Sequence, residues 1–96
     1  MIIYQPYVYI IRWTAANKGY IGVRYAKGCN PSDLFESYHT SSKAVKQLIS
    51  EIGLPDQIKI FPYPDKQTAL LMEEKFQRRL RVLESDYWFN KNINGK

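Results

Sequence analysis

Two runs of β-branched and aromatic residues, Tyr7-Val8-Tyr9-Ile10-Ile11-Arg12-Trp13 and Gly19-Tyr20-Ile21-Gly22-Val23-Arg24-Tyr25, lie close together near the start of the chain. Such runs favour extended backbone, and the polar Ala-Asn-Lys stretch between them predicts a β-hairpin. A two-stranded hairpin is marginal in water, so the rest of the chain has to cover it. Side chains alternate across a strand, which puts Tyr20, Gly22 and Arg24 on one face of the second strand and Ile21, Val23 and Tyr25 on the other. The bulky apolar face is expected to pack on helices. A Tyr, a Gly and an Arg make a poor core, so their face is expected to stay accessible, with Gly22 admitting close approach to the sheet backbone.

The cover is legible downstream. After the turn-rich Lys27-Gly28-Cys29-Asn30-Pro31, Ser32 is expected to cap a short helix over residues 33–38. A second helix starts at a Ser41 or Ser42 cap, carries Ala44, Val45, Leu48, Ile49 and Ile52 as one apolar stripe, and stops at Gly53. Gln57-Ile58-Lys59-Ile60-Phe61 alternates as a short strand ended by Pro62, and Asp65 caps the longest helix, over residues 66–83. The aromatic Tyr87-Trp88-Phe89 leads into an Asn-rich tail. With no repeat or linker, residues 1–96 read as a single α+β domain, a small mixed or antiparallel sheet flanked by helices in the order β-β-α-α-β-α.

A chain of 96 residues is too short for a binding domain fused to a catalytic one, and it holds no apolar run long enough to span a bilayer. Its first residues lack the features of a secretory leader, so a cytoplasmic location is expected. One cysteine, Cys29, and one histidine, His39, exclude a disulfide framework and a zinc site of Cys and His ligands within one chain. Cys29 reads as a small packing residue, since no histidine is placed by sequence to activate it. Fourteen Lys and Arg against nine Asp and Glu give +5, which with eight tyrosines suits a polyanionic partner, nucleic acid first, although it also suits ordinary solubilising charge. The Lys75, Arg78, Arg79 and Arg81 group is divided in the same way between a solvated helix face and contact with a phosphate backbone.

One residue breaks the pattern of the longest helix. Ala69, Met72, Phe76, Leu80 and Leu83 form its apolar stripe, and Glu73 falls inside that stripe while Glu74 points to water. A carboxylate on the core side costs several kcal/mol if uncompensated, so a partner is expected: an Arg or Lys at the core edge, or a hard divalent cation such as Mg²⁺.

Together with the hairpin, this glutamate resembles the GIY-YIG nuclease family. The family's two tripeptides look like Tyr7-Val8-Tyr9, with Tyr7 where Gly is usual, and Tyr20-Ile21-Gly22, which matches fully. Ten residues separate the tripeptides, as in the family, and Lys18 precedes the second. The family's helical E-x-x-aromatic looks like Glu73-Glu74-Lys75-Phe76, and its late asparagine looks like Asn90. The main departure is the family's arginine. It usually lies about ten residues after the second tyrosine, where this chain has Asn30, and Arg24 is taken as its substitute.

The resemblance implies a metal-dependent DNA endonuclease acting on double-stranded DNA with one Mg²⁺ (or Mn²⁺) per active site. Its nearest branch is that of phage-encoded, free-standing homing endonucleases, which implies the cytoplasm of an infected bacterial host. A repair or restriction-type nuclease of the same fold, or an inactive nucleic-acid-binding domain, are the alternatives. The recognition region that most of that branch carries is not seen, so the chain is expected to be a catalytic domain cut from a longer protein or a minimal nuclease. In the implied site Glu73 holds the metal, Arg24 meets developing charge on phosphate oxygens, and Tyr9 or Tyr20 is the general base once positive charge lowers its pKa. His39 is placed either as an assisting base or phosphate contact or as a solvent-facing side chain. Asn90 completes the catalytic set, and Lys18, Arg24, Lys27, Lys43 and Asn90 are the expected DNA contacts.

Overall fold

The hairpin forms as its composition demands, with β1 over Tyr7–Trp13 and β2 over Lys18–Arg24. The computed structural model describes residues 4–40 and 42–90. Residues 1–3, 41 and 91–96, on which the expected leader-free start, one candidate helix cap and the Asn-rich tail fall, lie outside the described residues. The β1–β2 turn is closed by Asn17, whose φ of +55° suits an asparagine. It is held from outside by Asp56, which accepts from the Thr14 backbone N–H at 2.8 Å. A third strand, β3 over Gln57–Pro62, pairs with β1 from the other side, giving an antiparallel sheet in the order β2-β1-β3.

β1 is therefore central, and both of its faces are buried. Tyr7, Tyr9, Ile11 and Trp13 project to one side, where they pack with Leu34, Val45, Leu48, Ile49 and Ile60. Val8 and Ile10 project to the other, with Ile21, Val23, Phe61, Met72, Phe76 and Val82. Fully burying one such large apolar side chain contributes roughly 1.5–3 kcal/mol, so the two layers hold the sheet between them. The first layer is covered by α1, over Lys43–Ile52, which Ser42 caps through the Val45 N–H and Gly53 ends at φ +97°. The second is covered by α2, over Lys66–Arg79, which Asp65 caps through the Thr68 N–H.

Three expectations are corrected. The helix placed at residues 33–38 is only a 3₁₀ turn over Pro31–Asp33, and Asn30 rather than Ser32 caps it in a reciprocal box with Asp33. Leu34 is already extended and Phe35 turns left-handed at φ +63°, because the segment leaves the turn to lay Leu34, Tyr38 and Thr40 over the sheet. The element order is thus β-β-α-β-α. The longest helix ends at Arg79, and Leu83, placed in its stripe, is exposed. Finally, the face bearing Tyr20, Gly22 and Arg24 is not open. The descending segment and α1 roof it, leaving Gly22 buried and Tyr20 and Arg24 partly covered.

The outer edge of β2 is sealed as well. The Gly19 N–H donates to the Tyr87 carbonyl and the Phe89 N–H to the Gly19 carbonyl, both at 2.9 Å. Asn90 continues the ladder with its side chain, accepting from the Ile21 N–H at 3.0 Å and donating to the Ile21 carbonyl at 2.7 Å. Among the described residues no helix is long and apolar enough to cross a membrane.

Candidate active site

Four tyrosines meet on the roofed face of the sheet. Tyr9 comes from the middle of β1 and Tyr20 from β2, their ring centroids 6.1 Å apart; Tyr7 and Tyr38 stand at the same separation from Tyr9. The Tyr9 hydroxyl lies 2.9 Å from the Thr40 hydroxyl and 3.2 Å from that of Tyr38. Burial raises Tyr9 well above the usual phenol pKa, with the neighbouring Tyr38 and Tyr20 adding to the rise. Tyr20 is less deeply set and is pushed up to about 12, first by burial and then by the charges of Tyr38 and Glu73, while a hydrogen bond with Thr40 acts the other way.

Glu73 approaches from α2. It is only 5% exposed, in a buried stripe with Ala69 and Gln77, and no hydrogen bond or ion pair to it is formed by any described residue. Burial alone lifts its pKa to about 7. The neighbouring Glu74 behaves as its helix phase requires, turning outward to accept from Arg78 Nε at 3.1 Å. Of the two partners expected for a core-side carboxylate, an Arg or Lys is not present among the described residues.

Arg24 sits beside the cluster, with its guanidinium 4.2 Å from the centre of the Tyr38 ring and Nε donating to Asp33 Oδ2 at 2.9 Å. The other Asp33 oxygen accepts from the Tyr7 hydroxyl. Although burial works against ionisation, these two donors hold the Asp33 carboxyl below its ordinary pKa. Tyr7 and Arg24 are register partners across the hairpin, so Asp33 clamps both ends of one cross-strand pair. The tyrosine that replaces the expected Gly and the arginine that stands on the strand are thus served by one carboxylate.

The remaining candidates spread out. His39 is exposed and packs edge-on against Phe35 at 6.1 Å. Asn90 spends one donor and one acceptor on Ile21, between Tyr20 and Gly22, and so fixes the strand that carries the site. Lys18 Nζ donates to the Asp86 carbonyl at 2.7 Å, at the opposite end of β2 from Arg24. Lys27 and Lys43 are exposed, as are Lys75, Arg78, Arg79 and Arg81. Cys29 is buried against the Gln5 and Arg24 carbonyls and packs as expected.

Sequence reasoning missed Asp33, Tyr38 and Thr40. Their signal was the in-out-in pattern of Tyr38, His39 and Thr40, half-buried, exposed and buried in turn, which an extended segment gives and a helix end hides. Thr40 carries strain too: its φ is +72°, a left-handed conformation costing a β-branched residue roughly 1–2 kcal/mol.

Comparison with protein-family models, with curated proteins and with solved structures gave no match to this chain. The chemistry is therefore carried by the residues above.

Proposed function

We propose that the chain is a metal-dependent DNA endonuclease of the GIY-YIG type, hydrolysing phosphodiester bonds as the catalytic domain of a phage homing endonuclease. The observation that carries this reading is Glu73, a buried carboxylate with no hydrogen-bond or ion-pair partner among the described residues, whose charge contributes to the raised pKa of the Tyr20 phenol. A structural glutamate in that position would be paired, whereas a ligand has to keep its oxygens available. Further support comes from the hairpin that sets Tyr9 and Tyr20 side by side, with Arg24 next to them.

No group of three or more His, Cys, Asp or Glu exists among the described residues, so the donor set fits one hard cation that takes a single carboxylate and fills its shell with water and phosphate oxygens. Glu73 would hold Mg²⁺ or Mn²⁺, which supplies positive charge to the scissile phosphate and offsets the charge that raises Tyr20. In the reaction a water oxygen forms its bond to phosphorus as the bond from phosphorus to the 3′ oxygen breaks. The water proton passes to a tyrosine phenolate, and the leaving oxygen takes a proton from solvent. Tyr20 suits the base role better than Tyr9, which is 1% exposed and closed to water. Arg24, steered by Asp33, presents its remaining N–H groups to phosphate oxygens.

Supercoiled plasmid incubated with Mg²⁺ or with EDTA tests the proposal, with Glu73→Gln and Glu74→Gln as the paired variants. Mg²⁺-dependent cleavage lost only in Glu73→Gln is expected. Intact plasmid with the wild-type protein, or equal cleavage by the two variants, sinks it.

A further inference from the structure

We propose that Tyr38 is the positioning residue of Arg24, its ring forming the flat support on which the guanidinium lies, so that the two terminal amino groups meet a phosphodiester as a fixed fork. This role rests on the nuclease function proposed above and adds a residue that neither tripeptide nor the glutamate helix marks.

An arginine side chain is long and rich in rotamers, so its aim depends on what it touches. Arg24 ends β2, and its side chain is only 21% exposed because neighbours box it on three sides. Tyr7 stands across from it in the hairpin, and Asp33 Oδ2 takes its Nε–H at 2.9 Å. The half-buried Tyr38 lies against its flat face, with Arg24 Cζ over the ring and 4.2 Å from the ring centre. The last two contacts restrain different motions. A single hydrogen bond at Nε fixes one point and leaves the plane free to tilt about it, whereas a π face attracts the cation and holds its plane parallel. Neither Nη1 nor Nη2 is hydrogen-bonded to a described residue. With Nε engaged, the N–H donors of the terminal fork remain, and that fork matches two oxygens of one phosphate.

The support is itself held. Asp33 and Tyr38 belong to one short loop, in which the Tyr38 N–H donates to the Asp33 carbonyl at 3.1 Å and the Phe35 N–H donates to the Tyr38 carbonyl at 2.6 Å. At the far end of the ring, the Tyr38 hydroxyl lies 3.2 Å from that of the buried Tyr9. One loop therefore carries both the contact in the guanidinium plane and the contact on its face. A leucine at position 38 would keep an apolar side chain there but offer no π face, and a lysine at position 24 would keep the charge but have neither plane nor fork.

The test uses the full chain with Tyr38→Phe, Tyr38→Leu, Arg24→Lys and the Tyr38→Leu/Arg24→Lys pair. Single-turnover plasmid cleavage with Mg²⁺ gives the saturated rate, and fluorescence anisotropy of a labelled duplex gives Kd. Tyr38→Phe retains the ring and should keep the rate within about threefold. Tyr38→Leu should slow the saturated rate by about tenfold to a hundredfold while changing Kd by less than about threefold, because a misaimed fork is missed in the transition state more than in binding. Arg24→Lys should already be slow, and adding Tyr38→Leu should slow it by under about threefold more, since the plane that Tyr38 supports is gone. Proton NMR of the wild type needs no variant: Overhauser contacts between the Arg24 guanidinium and the Tyr38 ring should be present, and should persist when a short duplex is bound in EDTA. Their absence, or their loss on duplex binding, overturns the assignment. So does a folded Tyr38→Leu variant with wild-type rate, a Tyr38→Phe variant as slow as Tyr38→Leu, or slowing in the pair equal to the product of the single effects. Wild-type protein that leaves plasmid intact with Mg²⁺ overturns the nuclease function instead, and the Overhauser contacts with duplex bound still decide whether Tyr38 supports Arg24.

Discussion

The Tyr9 ring occupies the space that a side chain at Gly22 would fill. The two residues are register partners across β1 and β2, and a Cβ at position 22 would overlap the phenol end of Tyr9 and come within 2.9 Å of the Tyr20 ring. The second tripeptide ends in glycine because the first ends in tyrosine. One missing side chain thus sets where the hydroxyl of the central strand is delivered.

Gly22→Ala is expected to displace Tyr9 and Tyr20 together. Overpacking of this kind costs about 1–3 kcal/mol, which should appear as a lower urea midpoint with an unchanged slope. Cleavage should fall further than the stability loss explains, because both phenols move. An alanine variant with wild-type rate and stability would show that the rings have room to spare.

Glu73 couples stability to pH with an unusual sign. Its carboxyl ionises near 4.5 in the unfolded chain and at about 7 in the folded one. Below 4.5 both states hold the proton and there is no penalty. Between 4.5 and 7 only the unfolded chain loses it, so the Glu73 contribution lowers stability as pH rises, by on the order of 3 kcal/mol at most, and levels off above 7. The difference between wild type and Glu73→Gln in urea unfolding, measured from pH 4 to 8, isolates this contribution and should favour the variant at the upper end. Millimolar Mg²⁺ should raise the melting temperature of the wild type and leave Glu73→Gln unmoved. Equal Mg²⁺ shifts in both proteins would place the cation elsewhere.

How much of this was readable from residues alone depended on the range of the interactions involved. Richness in β-branched and aromatic residues located β1 and β2, and alternation located β3, each to within a residue, because the preference for extended backbone is set by side-chain type. Helix phase, equally local, singled out Glu73. Residues 33–38 were misread as a helix because the conformation of the segment from Asn30 to Thr40 is decided by contacts far along the chain: Asp33 with Tyr7 and Arg24, and Thr40 with Tyr9. Asn90 was found as a landmark, yet its pairing with Ile21 has no local signature at all.

Arg24 and Asp33 should separate binding from turnover. Arg24→Ala is expected to lower kcat more than it weakens DNA binding, since a contact made mainly to developing charge acts on the rate. Asp33→Asn keeps the arginine but loses the ion pair that aims it, so it should shift kcat in the same direction by less and also destabilise the fold by about 1–2 kcal/mol. Single-turnover cleavage at saturating protein, alongside binding to a duplex, checks both. Normal turnover with weakened affinity in Arg24→Ala would reduce it to a docking residue.

The lysines named as DNA contacts divide by what they already hold. Lys27 and Lys43 are exposed, whereas Lys18 is bonded to the Asp86 carbonyl and lies 5.7 Å from the centre of the Phe89 ring. A cation that meets a phosphate releases condensed counterions, and each such contact removed should lower the steepness of the salt dependence by about 0.9 in log–log slope. Lys27→Ala and Lys43→Ala should therefore weaken binding by similar factors on unrelated duplexes and flatten the salt dependence. Lys18→Ala should leave that slope alone and instead lower the melting temperature, because it loosens residues 86–89 from the edge of β2. Titrating Glu73→Gln and its lysine double variants onto two unrelated duplexes at several salt concentrations measures all three slopes without cleavage. Nanomolar, salt-tolerant affinity for one of the duplexes would mean that base contacts, rather than backbone charge, dominate the complex.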